Sequence, residues 1–269
     1  MFVASTIEDN QSLFMEYCRT LVTPMDSFVE DYMLGGTFKA IMIGSDTIGY
    51  FIHGEKDLLS FYLSGSWTRY GPSLFERAIS ENCLKEVYFQ TSDSYLLSLL
   101  TDWEFDKKKS AYFFQNYYDI PEPLLDYGDV NFRPVGPQDM EEIHEKTAGF
   151  FSPDDIRNGD IYALRSGEAL LGCGIAIRGR FFTDCASIGM VTCKEHRRRG
   201  VGRYILWRMK QWCYERGLEP IAGCWYYNTL SRRSLESVGM SSRSRGMRAL
   251  LIGKEAIPER TGNPPGEPV

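Results

Sequence analysis

"EHRRRGVGRYILWRMKQW", residues 195–212, sets three arginines and a Gly-Val-Gly directly ahead of an apolar stretch. A turn needs one glycine, and a solvated basic face needs none. Behind the glycines, Val201, Ile205, Met209, Trp212 and Cys213 fall at i, i+4, i+8, i+11 and i+12, one face of an amphipathic helix. Gly217 follows in a good stop position. A helix start carries unsatisfied N–H groups and about half a positive charge. Glycine there lets a bound group come close to the backbone, and phosphate is the usual guest. Arg197, Arg198, Arg199, Gly200, Val201, Gly202 and Arg203 therefore read as an anion cradle, with arginines supplying charge-assisted bonds.

The flanks have a regular order. "VNFRPV" reads as a strand, "PQDMEEIHEKTAGFF" as a helix, and "DIYALRSGEALLGCGIAIRG" as two strands around a Ser-Gly turn. "CASIGMVTC" is a third strand, Cys185 to Cys193, before the cradle. After the long helix come a strand over Pro220 to Tyr227, a helix capped by Asn228 and stopped at Gly239, and a last strand, "SRGMRALLIG". The first half repeats this order: "FKAIMIGSDTIGYFIHG", "LLSFYLSG", "PSLFERAISEN", "EVYFQTSD", then "SYLLSLLTDWEF". Two tandem copies of one α/β unit are the economical reading. One mixed sheet extended by an unrelated N-terminal part is the alternative. A Pro/Asp/Gly-rich stretch, residues 117–140, reads as a linker. The expected domains are 1–125 and 126–257, with a disordered tail at 258–269.

The 269 residues are 43% hydrophobic and 25% charged, an ordinary globular composition. A net charge of −6 rules out a general polyanion binder, so any basic site is local. Seven irregularly spaced cysteines with no Cys-x-x-Cys pair suit a reducing, cytoplasmic setting. No signal-peptide pattern opens the chain, and no apolar run of about 18 residues predicts a membrane span. His53, His144 and His196 are scattered, so no metal site is expected. His196 reads as a solvated loop residue and "KKKS", residues 107–110, as a solvated turn.

Three kinds of phosphate loop compete. No Lys-Ser/Thr follows the glycines, which excludes a Walker loop, and the third glycine of a dinucleotide fingerprint is missing. "RRRGVG", Arg197 to Gly202, fits the remaining form, Arg/Gln-x-x-Gly-x-Gly/Ala between a strand and a long helix. That form resembles the pyrophosphate loop of the general N-acetyltransferase (GNAT) superfamily. Asn228-x-x-Ser231 followed by Gly239-Met240 resembles the family's next helix. The stretch "WCYERGLEPIAGCWYYNTLSRRSLESVGM" also looks like the branch containing the zwittermicin self-resistance acetyltransferase.

The resemblance implies an α/β (α+β) fold: two tandem acyl-CoA N-acyltransferase-like units, each a mixed, mostly antiparallel twisted sheet flanked by helices. It implies acetyl-CoA as cosubstrate, with pyrophosphate on the amides of Arg198 to Arg203. Pantetheine would follow the strand edge at Met190, Val191, Thr192 and Cys193, with Asn228 and Ser231 adding side-chain bonds. A primary amine of a small molecule or peptide would attack the thioester directly. The family's base position holds Ala186 and its thiolate-acid position Leu235. Asp184, two residues before Ala186 and expected on the same strand face, is the candidate base, and Tyr226 or Tyr227 the candidate acid or substrate-site residue. Cys193 and Cys224 end neighbouring strands but have no adjacent base, so packing is their expected role. The first copy has "WTRYGPSLF" where the cradle would fall, and is expected not to bind CoA. A non-catalytic acyl-CoA sensor is the second reading. A nucleic-acid binder is a third, disfavoured by the acidic charge. No nucleic-acid or membrane partner is expected. The oligomeric state stays open, a homodimer being one option.

Overall fold

The computed structural model describes residues 1–151 and 161–252. The expected tail from Pro258 lies outside the described residues. In chain order the elements are β1 (Phe2–Ala4), α1 (Gln11–Thr20), α2 (Ser27–Leu34), β2 (Thr37–Ile43), β3 (Asp46–His53), β4 (Asp57–Leu63), α3 (Gly71–Glu81), β5 (Glu86–Gln90), α4 (Ser94–Leu100) and β6 (Phe105–Asn116). There follow β7 (Val130–Pro134), α5 (Met140–Lys146), β8 (Ile161–Ser166), β9 (Ala169–Arg178), β10 (Cys185–Thr192), α6 (Val201–Tyr214), β11 (Glu219–Trp225), α7 (Thr229–Ser237) and β12 (Met240–Leu251).

The chain folds into two compact units that interleave in sequence. One holds Met1–Asn10, Gly36–Lys108 and the chain from Met247; the other holds Gln11–Gly35 and Lys109–Gly246. The same plan recurs in both. In the first unit β2, β3 and β4 are antiparallel neighbours, and β4 then pairs parallel with β5 through Asp57–Glu86 and Leu58–Val87. In the second, β7, β8, β9 and β10 run antiparallel, and β10 pairs parallel with β11. Each parallel pair is bridged by a helix, α3 or α6, as parallel strands require. Each unit is thus a mixed, mostly antiparallel sheet flanked by helices, in two tandem copies. The division falls inside β6 and β12: Ala111 to Gln115 of β6 pair with β11 in the second unit.

Helix α6 organises the second unit's core. Of the stripe read from the sequence, Val201, Ile205, Met209 and Cys213 are at most 1% exposed and pack with Ala186, Ile188, Ala222 and Leu235, while Trp212 is half-buried at the edge of that core. Each such side chain contributes roughly 1.5–3 kcal/mol by leaving water. The first unit's core packs Phe51, Phe61, Phe75, Val87 and Leu99, with α3 and α4 against β4 and β5.

Two expectations are corrected, and the linker stretch gains partners. The stretch 117–129, read as part of a linker, has no regular structure but is tied along α6. Lys210 Nζ donates to Tyr118 O (3.1 Å), Trp207 Nε1 to Ile120 O (3.2 Å), and Tyr204 OH to Glu122 Oε1 (3.1 Å). The strap's partners fall at every second residue, 118, 120 and 122, and those of the helix at every third, 210, 207 and 204, so the strap runs antiparallel to α6 along one helix face. Residues 107–110 lie within β6 rather than a turn; the three lysines are exposed there. The strand expected over Pro220 to Tyr227 stops at Trp225, which leaves Tyr226 and Tyr227 in the turn before α7. Helices α1 and α2 were not read from the sequence, although Phe14, Tyr17 and Cys18 are buried at helical spacing on α1.

No helix among the described residues is long and apolar enough to cross a membrane. All seven cysteines are free.

Lys210 is the strap's main tie. It is 1% exposed, and its ammonium also donates to Val238 O at 2.8 Å and lies 3.2 Å from Asp119 Oδ1. Lys210→Met should cost about 2–3 kcal/mol in urea unfolding, because two carbonyls lose their donor. A change within about 0.5 kcal/mol would show that the strap does not hold the helix.

Candidate active site

Strands β10 and β11 pair only through Cys185–Glu219, Ala186–Pro220 and Ser187–Ile221. Both continue, β10 to Thr192 and β11 to Trp225, so they separate after three paired residues. On its other side β10 stays bonded to β9, with Met190, Val191 and Thr192 opposite Gly174, Cys173 and Gly172. The edge of β10 facing the gap therefore offers backbone donors and acceptors to a ligand bearing amides. Cys193 closes this stretch; it is fully buried and its N–H donates to Leu171 O.

The start of α6 lies at the end of this edge. Gly200 is its N-cap, in the left-handed region at φ 83°, and no side chain caps the helix. The first helical N–H groups, those of Val201, Gly202 and Arg203, are the ones a helix leaves unbonded. Gly202 allows the close approach of α6 to β10: a Cβ there would lie 2.9 Å from Met190 Cε and 3.1 Å from Thr192 Oγ1. At Gly200 a Cβ would meet nothing closer than 3.9 Å, so its backbone conformation is the reason for glycine. Arg198 also has positive φ, 63°. Arg198, Arg199 and Arg203 are exposed, whereas Arg197 Nε turns back to Thr192 O at 3.3 Å. His196, expected to be a solvated loop residue, is half-buried, with Nδ1 2.9 Å from Tyr127 OH on the strap.

Past the gap, Asn228 Oδ1 accepts from Ser231 N at 3.0 Å and caps α7. This uses the carbonyl of Asn228 and leaves its NH2 group as the donor for a ligand. Tyr226 is half-buried and stacks on Tyr112, centroids 4.6 Å apart at 14°. Bonds from Tyr112 and then Lys109 hold its phenol below the ordinary range, and Lys109 Nζ lies 4.8 Å from its ring. Tyr227 is 58% exposed and rests tilted against Trp225 and edge-on against Tyr226. The turn thus separates the two tyrosines: one faces a cationic, aromatic cluster and the other solvent.

Asp184 is not on β10, as expected, but in the exposed turn before it. Its carbonyl accepts from Glu219 N at 2.8 Å, at the paired end of the strands, whereas the gap opens beyond Ser187. Ala186 and Leu235 are buried in the core. Burial pushes the thiols of Cys193 and Cys224 up, which suits packing rather than thiolate chemistry. Among the described residues no group of three or more His, Cys, Asp or Glu could hold a metal ion.

The sequence reading passed over residues 11–35, which belong to this unit. Asp26 is the N-cap of α2, accepting from Val29 N at 2.9 Å, and burial pushes its carboxyl up to about 6. Asp ahead of a helical stretch was a legible cap signal. Its position over β11 is a tertiary fact, and no local pattern encodes it.

Two family models match the chain: "Acetyltransferase (GNAT) domain" over residues 6–117 and "Acetyltransferase (GNAT) family" over residues 124–240. A search of curated proteins finds no match. Among solved structures, the fold is similar to an acetyltransferase from the GNAT family of Colwellia psychrerythraea. That match has a TM-score of 0.84 at 15% identity and covers 93% of this chain and 99% of that one. It is also similar to a GCN5-related N-acetyltransferase from Sphaerobacter thermophilus, with a TM-score of 0.64 at 14% identity over 95% and 97% of the two chains. A tandem GNAT protein from the clavulanic acid biosynthesis pathway matches with a TM-score of 0.63 at 9% identity over 95% and 99%. At these identities the structural likeness shows the fold alone, and the family models supply the rest. The chain belongs to the GNAT superfamily of acetyltransferases and carries two tandem GNAT domains.

Proposed function

We propose that this protein transfers the acetyl group of acetyl-CoA to a primary amine of a small molecule or peptide. GNAT domains support acyl transfer in general; the donor and acceptor are our reading. One observation carries it: an uncapped helix start, held open by left-handed Gly200, stands at the end of a strand edge freed by the separation of β10 and β11. The α6 amides and the Arg198, Arg199 and Arg203 side chains would hold the pyrophosphate. The edge from Met190 to Thr192 would bond the pantetheine amides, with Asn228 and Ser231 on the far side; Cys193, expected there too, has its backbone N–H and carbonyl taken by Leu171 and His196. The thioester would then lie in the gap, where a strand N–H can stabilise the tetrahedral oxyanion. Tyr226, a phenol more acidic than usual, and Tyr227 are the candidate donors to the leaving thiolate. Asp184 stays a candidate base only for an acceptor reaching the paired end of the strands.

The first copy would not bind CoA. Its corresponding helix, α3, starts at Gly71-Pro72, and proline removes one N–H. Tyr95 fills the space beside it: a Cβ on Gly71 would lie 2.3 Å from the Tyr95 hydroxyl, which donates to Thr68 O.

A second reading, a non-catalytic acyl-CoA sensor, is favoured by one observation: Ala186 and Leu235, at the positions to which the family resemblance assigns base and acid, are apolar and buried. Release of CoA in the presence of pooled primary amines separates the two, since a sensor binds acetyl-CoA without releasing CoA.

Two outcomes follow for calorimetry with acetyl-CoA. Gly200→Val should weaken binding at least about 10-fold while the protein stays folded, because the position is sterically open and the left-handed strain costs about 1–2 kcal/mol. Unchanged affinity would move the cradle elsewhere. The wild type should bind one acetyl-CoA per chain, and a stoichiometry of two would contradict the closed first copy.

A further inference from the structure

The two faces of the gap differ. Along β11, Ala222 belongs to the core beneath α6, so Ile221 and Gly223 point to the opposite face. Along β10, Ala186 and Ile188 face α6, and Ser187 and Gly189 point with Ile221 and Gly223. Ser187 and Ile221 are the last pair, and two residues on, at the mouth of the gap, both strands carry glycine. This face therefore has no side chain of its own at the mouth. A Cβ on Gly223 would lie 1.9 Å from Asp26 Oδ2, so the carboxylate of Asp26 occupies the place a residue-223 side chain would take.

Several bonds hold it there. Ser27 N donates to Ser187 Oγ at 2.8 Å, tying the start of α2 to the last paired residue of β10. Glu30, 1% exposed, accepts from Arg180 N (2.7 Å), Phe181 N (3.0 Å) and Phe182 N (3.4 Å), pinning α2 to the turn between β9 and β10. Thr23 bonds Ser244 at 3.0 Å. Asp26 Oδ1 is used by Val29 N, and among the described residues Oδ2 has no hydrogen-bond donor. Gly223 beside it is exposed, so Oδ2 sits at the surface of the gap with a lone pair free to take a proton, as a base requires.

We propose that Asp26 is the general base of the transfer, accepting a proton from the acceptor amine on the face of the gap opposite α6. This rests on the reading that acetyl-CoA occupies the gap, and it names the acceptor as a cationic primary amine that a carboxylate recognises. The substrate ammonium gives one proton to Asp26 Oδ2. The freed lone pair attacks the thioester carbonyl carbon, the C–N bond forms, and the C–S bond breaks with its electron pair on sulfur. A second proton from nitrogen neutralises the thiolate, directly or through water, and Asp26 returns its proton to water.

The groups around Asp26 suit this role. Desolvation is the main cause of its raised carboxyl value, about 6; the Val29 N–H lowers it, and the charges of Glu30 and Asp31 on α2 raise it. From the strands it faces Gly223 on β11, with Phe113 of β6 beside that glycine and Ser187 of β10 held through Ser27, none of them charged. A base of this strength is ionised at neutral pH and close enough to it to exchange protons readily.

Asp26→Asn is the test, because the amide oxygen still caps Val29 but cannot take the proton. Calorimetry should give the variant the wild-type affinity for acetyl-CoA. Release of CoA across a panel of primary amines should fall about 100-fold, and the acidic limb of the wild-type rate, with midpoint near pH 6, should disappear. A variant that keeps the wild-type rate and limb overturns the assignment. Failure of both proteins to bind acetyl-CoA would instead remove the parent reading, and the two failures are distinct in the calorimeter. Carbon NMR of the Asp26 carboxyl, assigned by its loss in the variant, decides the matter independently of any acceptor. It should titrate near pH 6 and shift on addition of acetyl-CoA. Titration in the ordinary aspartate range with no response to acetyl-CoA overturns the proposal.

Discussion

Everything in the second unit depends on where β10 and β11 stop bonding. Three parallel pairs hold them, and then the two strands part, half-buried to exposed, with backbone groups unmatched along the gap. Backbone N–H and C=O groups need partners, so such edges call for water or for a ligand that carries its own amides. The helix between the strands supplies the second half of the arrangement. Its start bears uncapped N–H groups and its stripe fixes it on the sheet, so a ligand with a charged end and an amide-bearing arm would meet adjoining surfaces. The first unit keeps the same parallel pairing between β4 and β5, yet Pro72 and Tyr95 close its helix start. One architecture thus carries one open and one closed version of the same feature.

Rigidity is supplied from unexpected parts of the chain. The stretch from Tyr117 to Tyr127 is a strap whose carbonyls and side chains meet Lys210, Trp207, Tyr204 and His196 in turn. The segment from Gln11 to Gly35 brings a second helical pair onto the other face, fixed by the buried carboxylate of Glu30. Both contributions are long-range in sequence. They act by bonding the backbone of a neighbour, which leaves no periodic trace in their own residues.

The legible parts of the chain are those written in local chemistry. The stripe on α6, the cap at Asn228 and the glycines of the cradle each follow from one element's needs, and the structure has them where the pattern places them. The repeated order of strands and helices made the tandem plan readable in the same way. Hydrophobic and basic content misled at β6, where three exposed lysines on a strand resemble a turn. The catalytic side was the least legible. Asp184 had the right residue type and nearly the right spacing, but the turn before β10 holds it at the closed end of the strands. Asp26 had an ordinary cap signature and no spacing at all relative to Gly223, 197 positions away by number in the chain. Only the fold brings the two together.

The most direct test of the central claim is amide hydrogen exchange with and without acetyl-CoA. The account predicts slowed exchange along Met190 to Thr192 and through the first turn of α6, at Val201 to Arg203, with no change at the start of α3. Protection around Gly71, or none at the α6 start under saturating acetyl-CoA, would contradict it.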